Sequence, residues 1–308
     1  MKNALVGYTG FVGGNIAASH PFDGLYNSKN IQEAFGQKPE LLIYAGLPAA
    51  KYLANTAPQE DLALCEAAFA NICAIQPQRL VLISTVDVYQ NPCKVDEKTP
   101  IVQQGMQAYG KNRAHLEALV RDKYPNALII RLPGLFGAGL KKNFIYDFIT
   151  ITPFMLKSEK YAELSKKSAL VQRLYAPAKN GFYQLFDTSA DEKAALRAFF
   201  EANDFNALSF TDSRACYQFY DLSNLWRDIA WALAANLTLL NIACEPIAAA
   251  ELYAHLTKGG AFCNELPAEP VQYDMRSVYD TLYHGAGGYL YNKQEILDEI
   301  ASFVRELQ

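Results

Sequence analysis

Apolar residues in the first half of the chain fall into short, nearly continuous runs separated by longer mixed stretches. Ala4–Val6, Leu41–Ala45 (LLIYA), Leu80–Ser84 (LVLIS) and Ala127–Leu132 (ALIIRL) are four such runs. Runs of this length without polar alternation predict strands buried on both faces of a parallel sheet. The stretches at about 59–75 and 107–123 have helical character, and the strand–helix rhythm predicts a doubly wound α/β sheet. After Gly137 the rhythm breaks. Residues 141–186 are aromatic-rich and show no strand alternation. Ser189 and Glu192 have capping-box spacing and predict a helix start. A helix is expected at about 223–235, a strand at 237–242, and a final helix boxed by Asn292 and Glu295 and running to about Leu307. No repeat, low-complexity tract or flexible linker interrupts the chain. The expected organisation is a dinucleotide-binding domain over 1–140, completed by about 205–245, with an interleaved smaller lobe from 141–204 and 246–308.

Length and composition agree with this. The chain has 308 residues, 51% of them apolar, enough for one domain of this kind plus an appended lobe. A net charge of -4 argues against a nucleic-acid surface. No apolar run reaches the ~20 residues of a membrane span, and the N-terminus shows no signal-peptide pattern. Six scattered cysteines without a C-x-x-C pair suggest reduced thiols and a cytoplasmic protein. Four histidines far apart in sequence give no ligand set for a metal, so none is expected.

The chemistry begins at Val6-Gly7-Tyr8-Thr9-Gly10-Phe11-Val12-Gly13, which follows the first strand and opens a helix. Glycines at 7, 10 and 13 allow a tight turn and close backbone approach to a pyrophosphate, which meets the free N–H groups of the helix start. The segment resembles the T-G-x-x-G-x-x-G of the extended short-chain dehydrogenase/reductases, whose members include nucleotide-sugar epimerases, dehydratases and reductases. A Rossmann-type fold with a mostly C-terminal substrate lobe is what the resemblance implies. It also implies cofactor contacts from Gly7, Thr9, Gly10, Phe11, Val12, Gly13, Ala45, Gly46 and Pro133. In such proteins an acid about 20 residues on binds the ribose 2′-OH of NAD. Here Asn27-Ser28-Lys29 stands in its place, and a neutral donor beside a cation favours the 2′-phosphate of NADP over NAD.

Further along, Ser84-Thr85-Val86-Asp87-Val88-Tyr89 resembles the family's S-[ST]-x-x-V-Y, which assigns Thr85 to the substrate oxygen. Tyr109-Gly110-Lys111-Asn112-Arg113 resembles Y-G-x-S-K, with Tyr109 as general acid/base. A free phenol titrates near ~10, and a fixed positive charge brings it down. The family supplies that charge as a Lys four residues on, across one helix face. Here Arg113 holds the position, keeping the charge and a donor for ribose hydroxyls but not a lysine's proton exchange. Arg131-Leu132-Pro133-Gly134-Leu135-Phe136-Gly137 resembles R-x-x-x-x-[YF]-G. On the substrate side the resemblance points to Asn143, to Arg214 in a variant of R-D-[YF]-I-H-V-x-D-L, to Asp87 and, as a diphosphate ligand, to Arg276. The implied function is hydride transfer on a nucleotide-sugar as an epimerase or reductase. Dehydration ranks lower, because Val86-Asp87 replaces the dehydratases' acidic pair. The alternative is a dinucleotide-binding sensor or scaffold without turnover, for which Arg113 is the supporting feature. A homodimer through the helix bearing Tyr109 is common among relatives and stays open.

Overall fold

The computed structural model describes residues 1–178, 181–186 and 188–307 and divides into two compact units. The first comprises 1–140, 216–247 and 271–300. Its centre is a sheet of six parallel strands: β1 (Asn3–Val6), β2 (Gly24–Tyr26), β3 (Leu41–Tyr44), β4 (Arg79–Thr85), β5 (Leu128–Leu132) and β6 (Leu239–Asn241), in spatial order β6-β5-β4-β3-β1-β2. The expected doubly wound architecture is therefore present. Chain order reverses between β1 and β3, and at such a switch point the loops leaving neighbouring strands diverge and open a crevice.

Four helices matter for the site: α1 (Phe11–Ser19), α2 (Lys51–Thr56), α3 (Pro58–Ile75) and α4 (Ala108–Lys123). Leu42, Leu80, Leu82 and Ile129 from the sheet pack with Ile72 and Ile75 of α3 and Leu116 and Val120 of α4. Each such side chain contributes about 1.5–3 kcal/mol by leaving water. A polar clamp fixes α4 on the sheet. Glu117, fully buried, accepts from Arg131 of β5 (Nη2–Oε2 2.6 Å) and from the Ser84 hydroxyl of β4 (2.6 Å). Arg131 also donates to the Tyr89 hydroxyl at 2.7 Å. The arginine of the R-x-x-x-x-[YF]-G segment is thus a buried structural residue.

The second unit comprises 141–215, 248–270 and the chain from 301 on. Where no strand alternation was visible in the sequence, three strands of three or four residues (Met155–Lys157, Tyr175–Pro177, Phe182–Leu185) form an antiparallel sheet. Such short strands give alternation too few positions to register. Phe144, Phe148, Tyr253 and Phe262 form an aromatic cluster. The capping box at Ser189 and Glu192 starts the helix Ala190–Glu201 as expected, and Asn292 accepts from the Glu295 N–H at the start of Lys293–Leu307.

The boundaries differ from the sequence expectation. The first unit resumes at 216, not at about 205, and 271–300 groups with it although 246–308 was assigned wholly to the lobe. The reason is local pairing. Asp274–Met275 lies parallel to Cys93–Val95, Asn241 donates to the Arg276 carbonyl at 2.9 Å, and Glu97 accepts from the Ser277 hydroxyl at 2.7 Å. Among the described residues no helix is long and apolar enough to cross a membrane, and no His/Cys/Asp/Glu group could hold a metal ion.

Candidate functional site

The glycine turn lies at the switch point. Gly7 has φ +94°, and a Cβ there would meet the Ala45 carbonyl oxygen at 2.4 Å. Only glycine satisfies both the left-handed backbone and the approach of the β1 and β3 loops. A Cβ on Gly13 would lie 2.2 Å from the Gly7 oxygen, so the start of α1 can sit on the turn only without a side chain. Gly10, the N-cap of α1, provides no side-chain cap. The first-turn N–H groups therefore point out beside Thr9, which is exposed, and Phe11 and Val12, which are partly so. These features suit a pyrophosphate. Ala45 and Gly46 leave β3 next to the turn, and Pro133 follows β5. Asn15 donates to the Ala138 carbonyl at 2.9 Å, tying the segment beyond Pro133 to α1.

β2 ends beside this turn, with the Gly7 N–H donating to the Tyr26 carbonyl at 2.7 Å. Asn27 does not reach outward. Its side-chain oxygen accepts from the Lys29 N–H at 2.9 Å, closing a local turn that leaves Ser28 and Lys29 exposed. Asp23, the nearest upstream acid, accepts from the N–H groups of Lys2 and Asn3 at the opposite end of the sheet.

Thr85 ends β4 and Tyr109 lies in the first turn of α4, and the fold packs this helix start on the turn that follows Thr85. Gly110 is the device that permits it. A Cβ there would stand 1.9 Å from the Asp87 carbonyl oxygen, so α4 nestles on the 86–88 turn only with glycine at this position. The Thr85 hydroxyl donates to Asp87 Oδ2 at 3.3 Å and accepts from the Asp87 N–H at 3.2 Å. Asp87 Oδ1 accepts from Lys51 Nζ at 2.6 Å, and the charges of both bear on the Tyr273 phenol. Asn55 of α2 accepts from the Tyr109 N–H at 2.9 Å.

Arg113 departs from its expected role. Its guanidinium carbon lies 4.2 Å over the ring of Tyr109, so it stacks on the phenol and does not face the hydroxyl alone. Nη1 is ion-paired to Asp61 of α3, and Nη2 donates to the Pro48 carbonyl at 2.8 Å. Asn112 donates to the same Asp61 oxygen at 2.8 Å. The group is 4% exposed. Tyr109 correspondingly titrates above its ordinary value. Burial raises it, the Asp87 charge adds to that, and Arg113 and Lys51 oppose without winning. Arg113 thus pulls the phenol down as expected, and burial outweighs it.

The remaining candidates are held by partners of their own. Asn143 is the N-cap of Phe144–Thr150 and accepts from the N–H groups of Ile145 and Tyr146. Arg214 is held by Asp212 (Nη2–Oδ2 2.8 Å) and Glu265 (3.2 Å). Both belong to the second unit. Arg276, in the first, pairs with Asp274 at 3.0 Å and lies over the Tyr289 ring. Sequence reasoning missed Lys51, Asn55, Asp61 and Tyr273. The available signal was Lys51 itself, a cation with no acid nearby in an otherwise apolar segment that follows Ala45-Gly46. A cavity of about 600 Å³ in the first unit is lined by Arg227, Trp231, Tyr283 and Tyr291, among others, and includes none of the candidates.

No protein-family model matches the chain, and no curated protein matches it. Solved structures do. A dTDP-4-dehydrorhamnose reductase from Yersinia enterocolitica superposes with a TM-score of 0.64 at 14% identity, covering 100% of both chains. The Bordetella bronchiseptica enzyme WbmG, in complex with NAD and UDP, gives 0.62 at 13%, covering 99% of this chain and 94% of that one. A UDP-N-acetylglucosamine 4-epimerase from Bacillus cereus gives 0.58 at 13%, covering 99% of each. At these identities the likeness establishes the fold, which extends over both units of this chain.

Proposed function

We propose that the chain is a nicotinamide-dinucleotide-dependent enzyme of the extended short-chain dehydrogenase/reductase type, acting on a nucleotide-linked sugar. One observation carries the reading. Thr85 ends β4 and Tyr109 lies in the first turn of α4, which Gly110 seats on the 86–88 turn, at the sheet edge where the glycine turn leaves the N-terminus of α1 uncapped. The fold shared with nucleotide-sugar enzymes supports the substrate class.

The dinucleotide, when bound, supplies or accepts the hydride. The turn Gly7–Gly13 and the start of α1 hold its pyrophosphate. Thr85 orients a sugar oxygen, and Tyr109 moves the proton at that oxygen. Burial raises the phenol above its ordinary value, which suits Tyr109 to giving a proton to a carbonyl. This favours the reductase direction over epimerisation, which also requires removing one from a hydroxyl. The Asn27-Ser28-Lys29 end of β2 carries no acid and exposes a cation, which supports NADP(H) as the partner. The test is incubation with NADPH or NADH and a panel of nucleotide-linked keto-sugars. Cofactor oxidation matched by sugar reduction supports the reading.

A second reading is a dinucleotide-binding protein without turnover. It is favoured by one feature: Asp61 and the Pro48 carbonyl occupy the Arg113 donors that would otherwise serve a ribose. Dinucleotide binding with no turnover on any panel member selects it.

A further inference from the structure

The family pattern provides the acid/base tyrosine with a cation from its own helix. In this chain that cation is committed elsewhere, and a different one stands close by. Lys51, the first residue of α2, places Nζ 2.6 Å from Asp87 Oδ1. Asp87 in turn receives the Thr85 hydroxyl through Oδ2 at 3.3 Å, and Gly110 packs the start of α4, with Tyr109, against the Asp87 backbone. The four side chains form one file. It begins at a phenol only 7% exposed and ends at an ammonium whose side chain is 45% exposed.

We propose that Lys51, acting through Asp87 and Thr85, is the positioning residue that carries the proton of Tyr109 to and from solvent and adds to the positive charge Arg113 holds beside it. This deepens the reading of the site above and rests on it. The transfer balances as follows. The phenolic proton passes to Thr85 Oγ1 as the Thr85 hydroxyl proton passes to Asp87 Oδ2. The Lys51 ammonium releases a proton to water and regains one from Asp87. The net change is a tyrosinate and a hydronium, and the reverse sequence reprotonates Tyr109 after it has acted as an acid. Arg113 cannot do this, because it is buried with its terminal nitrogens held by Asp61 and the Pro48 carbonyl, away from solvent. The groups bearing on the phenol's titration are Arg113 on α4, with Asp61 and Cys65 of α3 behind it, Asp87 after β4, Lys51 on α2, and Tyr273 beside the Lys51–Asp87 pair.

The test compares Lys51→Met and Lys51→Arg with the wild type. In the cofactor-free protein, tyrosines carrying a ring carbon label are titrated by NMR, and Tyr109 is assigned by its absence in Tyr109→Phe. The expected result is a Tyr109 titration at higher pH in Lys51→Met and a return toward the wild-type value in Lys51→Arg. In turnover, kcat of Lys51→Met falls roughly tenfold or more, KM stays near its original value, and the limb of the pH profile that reports Tyr109 moves with the titration. Lys51→Arg, which keeps charge but exchanges protons poorly, restores the titration and not kcat. An unmoved Tyr109 titration in Lys51→Met, or full kcat in Lys51→Arg, overturns the proposal. If no nucleotide-sugar turns over at all, the enzymatic reading fails, while the titration still decides whether Lys51 adds to the charge at Tyr109.

Discussion

Asp61 of α3 holds the guanidinium of Arg113 of α4 in a buried ion pair 52 residues apart in sequence. Both partners are nearly inaccessible. Asn112 shares the Asp61 carboxylate, and the Pro48 carbonyl takes a second Arg113 donor. The pair joins two core helices beneath Tyr109, and it makes the residue in the family's lysine position part of the framework.

Removing one partner leaves a buried charge without its counterion. Asp61→Ala is therefore expected to cost about 3–5 kcal/mol, read from urea unfolding. Replacing both, as Asp61→Leu with Arg113→Met, should recover much of that loss. A single-variant cost below about 1 kcal/mol, the size of an exposed pair, would show that the interaction is not closed off from water.

Gly110 makes a steric claim. Its added Cβ would overlap the Asp87 carbonyl oxygen, so Gly110→Ala must push α4 off the 86–88 turn. The expected cost is roughly 1–3 kcal/mol in unfolding free energy, with turnover lost because Tyr109 leaves Thr85. Gly14→Ala is the control. Its nearest contact is an ordinary 3.4 Å to the Tyr8 oxygen, and the helix should gain up to about 1 kcal/mol. Equal effects at both positions would contradict the steric account.

These two sites show what the sequence could and could not reveal. Strand runs such as LVLIS and the glycine turn were legible because burial on two faces and tight strand-to-helix turns leave local signatures. The strand end at Thr85 and the helix start at Tyr109 were legible for the same local reason. Asp61 was not, since no pattern within α3 announces a partner 52 positions away. Nor was Lys51, which is 36 residues from Asp87. The short antiparallel sheet of the second unit escaped because its strands are too brief, and 271–300 was misassigned because pairing with Cys93–Val95 is a long-range event. The direction of the Tyr109 titration was misjudged for a similar reason: charge spacing is visible along a helix, whereas burial is not.

Glu299 offers a pH-dependent test. Burial, with one oxygen lacking any partner, raises its carboxyl to about 7 from an ordinary 4.5. A carboxyl raised by folding favours the native state at low pH. That contribution is complete below the unfolded value and is lost as pH rises through the folded one. Glu299→Gln does not titrate. Its Tm relative to wild type should therefore increase from about pH 4 to about pH 8 and level off above. A difference that stays constant across this range would rule out the buried acid.

Dinucleotide preference is read from thermal shifts, since a ligand binding only the folded chain raises its stability with concentration. NADP(H) should stabilise more than NAD(H) at equal concentration, and Lys29→Glu should reverse the order. A larger NAD(H) shift in the wild type would mean that Ser28 and Lys29 do not meet a 2′-phosphate.

The central claim is that Tyr109 moves a proton during hydride transfer to or from a nucleotide-linked sugar. Its most direct measurement is single-turnover cofactor oxidation by wild type and Tyr109→Phe, with dinucleotide affinity measured on both. The account expects unchanged affinity and a rate lower by about 100-fold or more in the phenylalanine variant. Equal rates in the two proteins would contradict it.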